Sequence, residues 1–180
     1  MKKLTLEEID QQRVRPDEYD SVERFPIYVL LDNIRSLHNV GSIFRSADAA
    51  RVSRLYLCGI TGVPPRPEIE KTALGATETV PWEYRKDAAA VLDELRDQNC
   101  RIVALEHTDR SVAHRKARYD FPCCLVIGNE VWGVQEELLE KTDLAVEIPM
   151  YGSKHSLNVS VAFGVAMDQI LSQFIDRHHQ

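Results

Sequence analysis

The chain has 180 residues, of which 44% are hydrophobic and 28% charged, and its formal net charge is −6. A domain of this size buries enough apolar surface to fold without disulfide or metal staples, and the composition excludes disordered, collagen-like and disulfide-framed classes. No apolar run reaches membrane-span length, and the opening "MKKLTLEEIDQQRVRPDE" has no signal-peptide apolar core, so a cytoplasmic protein with no membrane partner is expected.

Residues 1–24 hold few core-quality side chains (Leu4, Leu6, Ile9, Val14, Val22) and are read as an N-terminal arm, with residues 25–180 as one domain. "PIYVLLD" (26–32) is a strand by its β-branched apolar run, and "HNVGSIFRSADAARV" (38–52) has the composition of a helix. "RLYLCG" (54–59) is again a strand, "PEIEKTALGA" (67–76) a helix, and "TVPWEY" (79–84) an extended edge or turn. "KDAAAVLDELRDQN" (86–99) puts Val91, Leu92 and Leu95 on one stripe with charges opposite, the mark of an amphipathic helix. "CRIVALE" (100–106) and "CCLVIG" (123–128) are apolar throughout, as strands buried on both faces must be. A short helix (134–142), a strand (144–150) and a long apolar helix (157–175) complete the chain. The alternation predicts an α/β fold: a mainly parallel sheet with helices on both faces.

Cys58, Cys100, Cys123 and Cys124 all lie in or beside apolar stretches, without the spacing of a metal knuckle or redox pair. They are read as small buried hydrophobes, and the six scattered histidines predict no metal site. The acidic total argues mildly against nucleic acid, but positive residues cluster at Arg45, Arg51 and Arg54. They cluster again in "DRSVAHRKARYD" (109–120), which reads equally as a solvated loop or as a phosphate-contacting one.

Three polar islands interrupt the apolar pattern. In the first, "HNVGSIFR", Asn39 is a candidate helix cap, Gly41 allows a close approach, and Arg45 shares a face with Gly41 and could pair with Asp48. The second, "LVIGNEVWGV", delivers Gly128, Asn129, Glu130 and Gly133 between a strand and a helix. It lacks the G-x-G-x-x-G spacing and so predicts a ligand touched by backbone rather than a pyrophosphate. The third, "IPMYGSKHSLNVSVA", ends a strand at Pro149 and offers Ser156 as a cap. It also leaves Asn158 in the first turn of an apolar helix, where a half-buried amide needs partners.

Together and in this order the islands resemble the SpoU branch of the SPOUT methyltransferases, the TrmH-like RNA ribose 2′-O-methyltransferases; the likeness runs over residues 26–175. That resemblance implies a homodimer with a C-terminal trefoil knot that moves a methyl group from S-adenosyl-L-methionine to a ribose 2′-hydroxyl of RNA, tRNA more than rRNA. It places cofactor binding at Gly128, Glu130, Ile148, Met150 and Leu157. It places catalysis at Arg45 with Asn39, Glu130, Ser156 and Asn158, and RNA contact at Arg45, Arg115, Lys116 and Arg118. A guanidinium stays protonated in proteins, so Arg45 suits gripping phosphate and stabilising developing oxyanion charge better than taking a proton. His155 is a weaker candidate base. Open alternatives are a SPOUT enzyme that methylates a base nitrogen, a catalytically silent RNA-binding module, and a small-molecule-binding α/β domain.

Overall fold

A computed structural model of the chain describes residues 1–178 except 12, 16, 17 and 20; the parts of the expected arm and domain at those positions and at 179–180 lie outside the described residues. The first element, α1 (Leu6–Asp10), is a single turn closed by a capping box between Thr5 and Glu8, and none of its residues is buried.

Seven strands form one sheet: β1 (Phe25–Asp32), β2 (Val52–Cys58), β3 (Trp82–Arg85), β4 (Arg101–Leu105), β5 (Val112–Ala113), β6 (Cys123–Ile127) and β7 (Leu144–Glu147). Their spatial order is β3-β2-β1-β6-β4-β7-β5 and every neighbouring pair is parallel. A two-residue side-chain period splits the apolar runs between two cores. Ile27, Val29, Leu31, Leu125 and Ile127 face one core, and Leu30, Ile102, Cys124 and Val126 the other.

The first core is covered by α2 (Leu37–Ala49), α3 (Pro67–Ala73), α4 (Ala76–Thr79) and α7 (Val159–His178), and the second by α5 (Ala88–Asp97) and α6 (Glu136–Glu140). The expected sheet with helices on both faces is therefore present. All four cysteines are free and buried, and burial pushes the Cys58 and Cys100 thiols up to about 12.

Three local expectations are corrected. The helix expected over 67–76 is two helices, because Leu74 and Gly75 both take positive φ, 51° and 90°. The strand expected over 144–150 stops at Glu147, which frees Ile148 to Met150 to leave the sheet. The basic run contains β5, which pairs with β7 through Val112↔Val146. The close approach expected at Gly41 is that of α3: a Cβ there would overlap Ile69 O and Thr72 Oγ1.

The segment joining β4 to β6 runs out to the β5 edge and returns to the centre of the sheet. There it meets α7: Gln173 Nε2 donates to Ala117 O at 2.8 Å, and Tyr119 N donates to Gln173 Oε1 at 3.2 Å. Phe174 packs against Phe25 and Phe121, with ring centroids 5.1 Å apart in each pair. This docking fixes where α7 begins and brings its first turn to the carboxyl ends of β6, β4 and β7.

Candidate active site

In open α/β sheets ligands gather outside the carboxyl ends of the strands. Here the ends of β6, β4 and β7 and the start of α7 enclose a cleft of about 530 Å³, a volume suited to a nucleoside-sized ligand. Its apolar wall is Leu105, Ile127, Ile148, Met150, Leu157 and Ala162. Its polar groups include Glu106, His107, Glu130, Glu147, Ser156 and Asn158.

The loop after β6 is held from several directions. Asn129 and Gly133 form an antiparallel bridge (3.0 and 2.9 Å), and Asn129 Oδ1 accepts from Val131 N and Trp132 N. Asn129 Nδ2 donates to Asn33 O at 2.7 Å, which ties the loop to the end of β1. Gly133 has φ 71°, and a Cβ on Gly128 would overlap the backbone of Gly133 and Val134. Gly128 is therefore required by the loop's own packing. Glu106 completes the fixation: its two oxygens accept from His107 N at 2.8 Å and Val134 N at 2.9 Å.

The three sequence islands meet through side chains. Glu130 accepts from Arg35 N (2.9 Å), Ser36 N (3.0 Å) and Asn39 Nδ2 (3.0 Å), and Asn39 Oδ1 accepts from Asn158 Nδ2 at 3.0 Å. Burial pushes the Glu130 carboxyl up, but the hydrogen bonds from Arg35, Asn39 and Ser36 outweigh it and hold the group below its ordinary value. It is an ionised acceptor and a poor base. Glu130 thus serves the start of α2, not the helix that follows it in sequence.

Both expected caps move. Ser36 caps α2 by accepting from Asn39 N at 3.3 Å, which leaves the Asn39 amide free to bridge Glu130 and Asn158. Asn158, not Ser156, caps α7: its Oδ1 accepts from Ser160 N at 2.9 Å and Ser160 Oγ at 2.7 Å.

Gly128, Glu130, Ile148, Met150 and Leu157, the expected cofactor residues, all line the cleft, together with Ser156 and Asn158. Asn39 reaches it through its two hydrogen bonds. Arg45 is exposed and does not line it; among the described residues it has no hydrogen-bond or ion-pair partner, because Asp48 instead accepts from Thr79 Oγ1 at 2.5 Å. Arg115, Lys116 and Arg118 are exposed on the segment between β5 and β6, away from the cleft lining, with Arg118 3.6 Å from Asp120. His155 is exposed and outside the lining.

Three polar cleft residues escaped the sequence reading: Glu106, His107 and Glu147. Ser111 Oγ donates to Glu147 at 2.7 Å and His107 Nδ1 lies 3.3 Å from it; these two partners hold the Glu147 carboxyl below its ordinary value. The available signal was position for Glu106 and His107, which stand at and just past the end of an apolar run, whereas Glu147 interrupts one.

The arrangement fits S-adenosyl-L-methionine. A flat adenine suits the apolar wall, and the carboxylates of Glu106, Glu130 and Glu147 favour a ligand bearing sulfonium and ammonium charges.

Comparison with known proteins agrees. The model of the SpoU rRNA Methylase family matches residues 26–168. The tRNA (guanosine(18)-2′-O)-methyltransferase of Aquifex aeolicus is 36% identical over 141 residues, covering 78% of this chain and 66% of that protein. The 23S rRNA (guanosine-2′-O-)-methyltransferase RlmB of Ralstonia nicotianae is 34% identical over 154 residues, 86% of this chain and 61% of that protein. The chain thus spans somewhat under two thirds of the length of these relatives. The structure of the SpoU methyltransferase AviRb from Streptomyces viridochromogenes, solved in complex with the cofactor AdoMet, superposes with a TM-score of 0.78 at 26% identity, covering 86% of this chain and 63% of that one. With the family model matched over most of its length and two relatives above 30% identity, the chain belongs to the SpoU rRNA methylase family and has the α/β fold of the SPOUT methyltransferases.

Proposed function

We propose that the chain is a cytoplasmic RNA methyltransferase that binds S-adenosyl-L-methionine in the cleft and methylates a ribose 2′-hydroxyl of structured RNA, with tRNA favoured over rRNA. The observation that carries this reading is the Glu130–Asn39–Asn158 hydrogen-bond chain. It draws three islands, separated by up to 119 residues, to the rim of one cleft that suits a nucleoside.

The cofactor supplies an electrophilic sulfonium methyl. The chain's own work is to orient the acceptor hydroxyl and stabilise the charge that grows on its oxygen. Asn39 and Asn158 hold each other's amides in fixed orientations, and Ser156 stands beside them as a hydroxyl that can position the nucleophile or a water. Arg45 stands six residues beyond Asn39 on α2, about 9 Å along the helix axis, and supplies a planar positive fork for phosphate and oxyanion.

An arginine that does not line its own chain's cleft fits a site completed by a second copy. The exposed face of α7 supports a homodimer: Val161 and Val165 are 51% and 38% exposed, and Gly164 has open space where a Cβ would stand. The docking of α7 against the returning 106–122 segment likewise supports the trefoil threading expected of the fold. Arg115, Lys116 and Arg118 are read as phosphate contacts outside the cleft, and residues 1–24 as an arm on a domain that begins at 25.

The test is to incubate the protein with methyl-labelled S-adenosyl-L-methionine and total RNA, digest to nucleosides and identify the labelled one. A 2′-O-methyl nucleoside is expected, and a base-methylated one contradicts the reading. Arg45→Ala is expected to abolish transfer while leaving cofactor affinity within about threefold, a change of under ~1 kcal/mol; activity within a few-fold of wild type removes Arg45 from its role.

A further inference from the structure

Trp132 is 85% exposed at the tip of the pinned loop, and Val131 beside it is 57% exposed. Among the described residues the indole makes no ring contact, although the backbone beneath it is held by the Asn129 side chain and the Asn129–Gly133 bridge. Burial of a tryptophan is among the larger single contributions a side chain can make to folding, so an indole left in water on a rigid turn is arranged for something else. Its neighbours say what. Val131 and Glu130 line the cleft, and Glu130 accepts from the backbone N–H of Arg35 at 2.9 Å. Arg35 is exposed, and its guanidinium has no hydrogen-bond or ion-pair partner among the described residues. A flat aromatic two residues beyond Glu130 in the chain, and an unpaired arginine whose backbone N–H donates to that carboxylate, thus neighbour one cleft residue from two sides of the sequence.

Resting on the function proposed above, we infer that Trp132 is a stacking platform for an unpaired nucleobase of the RNA substrate, with Arg35 contacting the adjoining phosphate. The acceptor hydroxyl must enter the cleft at an angle open to in-line attack, which requires its nucleotide to leave the helical stack. A nucleotide drawn out of a stack loses the interactions of both base faces, and an aromatic side chain restores one of them. Every base has a π-face, so Trp132 favours unpaired over paired nucleotides without reading base identity. Arg35 adds a charge contact that is sequence-independent and salt-sensitive.

The test compares wild type, Trp132→Ala, Trp132→Phe and Arg35→Ala for cofactor affinity by calorimetry, RNA KM and kcat, and tryptophan emission with a loop-containing or a fully paired oligonucleotide. The chain has two tryptophans, so the Trp132→Ala spectrum isolates the signal of the tip. Expected for Trp132→Ala is an RNA KM raised on the order of tenfold, cofactor affinity within about twofold, and recovery of most of the loss in Trp132→Phe. Quenching is expected with the unpaired oligonucleotide, is weak with the duplex, and disappears in Trp132→Ala. Arg35→Ala is expected to lower the slope of log affinity against log salt by about one. An unchanged RNA KM in Trp132→Ala, with an active wild type, overturns the platform alone. Conversion of Trp132→Ala to a smaller species on sizing overturns it in favour of a contact between copies. Failure of the wild type to bind either oligonucleotide overturns both the platform and the function on which it rests.

Discussion

Residues 128–134 and residues 149–157 both contribute to the cleft, the first through Gly128 to Val131 and Gly133 and the second through Met150, Ser156 and Leu157, yet the chain treats them differently. The first stretch is held by a backbone bridge, an Asx-type turn, a tie to Asn33 and a carboxylate clasp from Glu106. In the second, Tyr151 to Leu157 are all exposed, and among the described residues no hydrogen bond is made from Pro149 through Leu157. Fixing a backbone residue costs roughly 1–2 kcal/mol. In the first wall that cost is met by folding. The second wall leaves it to be met when a ligand or a second copy arrives. On the proposed function, one wall is expected to be a template for the cofactor and the other to close on it.

The comparison breaks most readily at Gly128. Gly128→Ala places a methyl in the backbone of Gly133 and Val134, so a loss of about 2–4 kcal/mol is expected with severe weakening of cofactor binding. Thermal unfolding and calorimetry check it; a variant as stable as wild type would show that the first wall yields. Asn158→Ala is next. It removes the cap of α7, worth about 1 kcal/mol, together with the bridge to Asn39. The expected sign of the lost bridge is a fall in kcat beyond what Ser160→Ala causes.

Acidification sharpens the picture at Glu130. The folded carboxyl lies below its ordinary value of 4.5, so its contribution to stability is complete above that value and is lost as pH falls through the lower, folded one. The Tm advantage of wild type over Glu130→Gln is therefore expected to be constant well above 4.5 and to narrow as pH falls below that value; a gap that does not narrow would mean that the carboxylate does not hold the start of α2. The smallest effect belongs to the open wall. Gly152 has nothing within 4 Å of a built Cβ and no positive φ, so Gly152→Ala should change stability by no more than ~0.5 kcal/mol.

What could be read from the residues alone follows the same division. The central strands were legible because Ile102–Ala104 and Cys123–Ile127 are apolar on both faces, a pattern that only a doubly covered sheet explains. β5 was not, since Val112 and Ala113 sit in a polar run and become a strand only through pairing with β7. The break at Leu74 was hidden because a leucine at φ 51° runs against local preference. Resemblance pointed to Gly128, Ile148 and Leu157, which line the cleft, but not to how the islands join. Reading Asn39 and Ser156 as caps follows from composition; finding Ser36 and Asn158 in those positions requires knowing where each helix starts, to within two residues. Glu106, His107 and Glu147 reach the cleft because β4 and β7 are neighbours in space, and no local pattern reports that order.

Hydrogen exchange with and without S-adenosyl-L-methionine tests the central claim most directly. Amides of 128–134, including the paired N–H groups of Asn129 and Gly133, are expected to be protected before ligand is added. Those of 150–157 are expected to exchange quickly and to slow on binding. Rapid exchange across 128–134 without ligand, or no slowing in 150–157 at saturating cofactor, would contradict a cleft built from one fixed wall and one that closes.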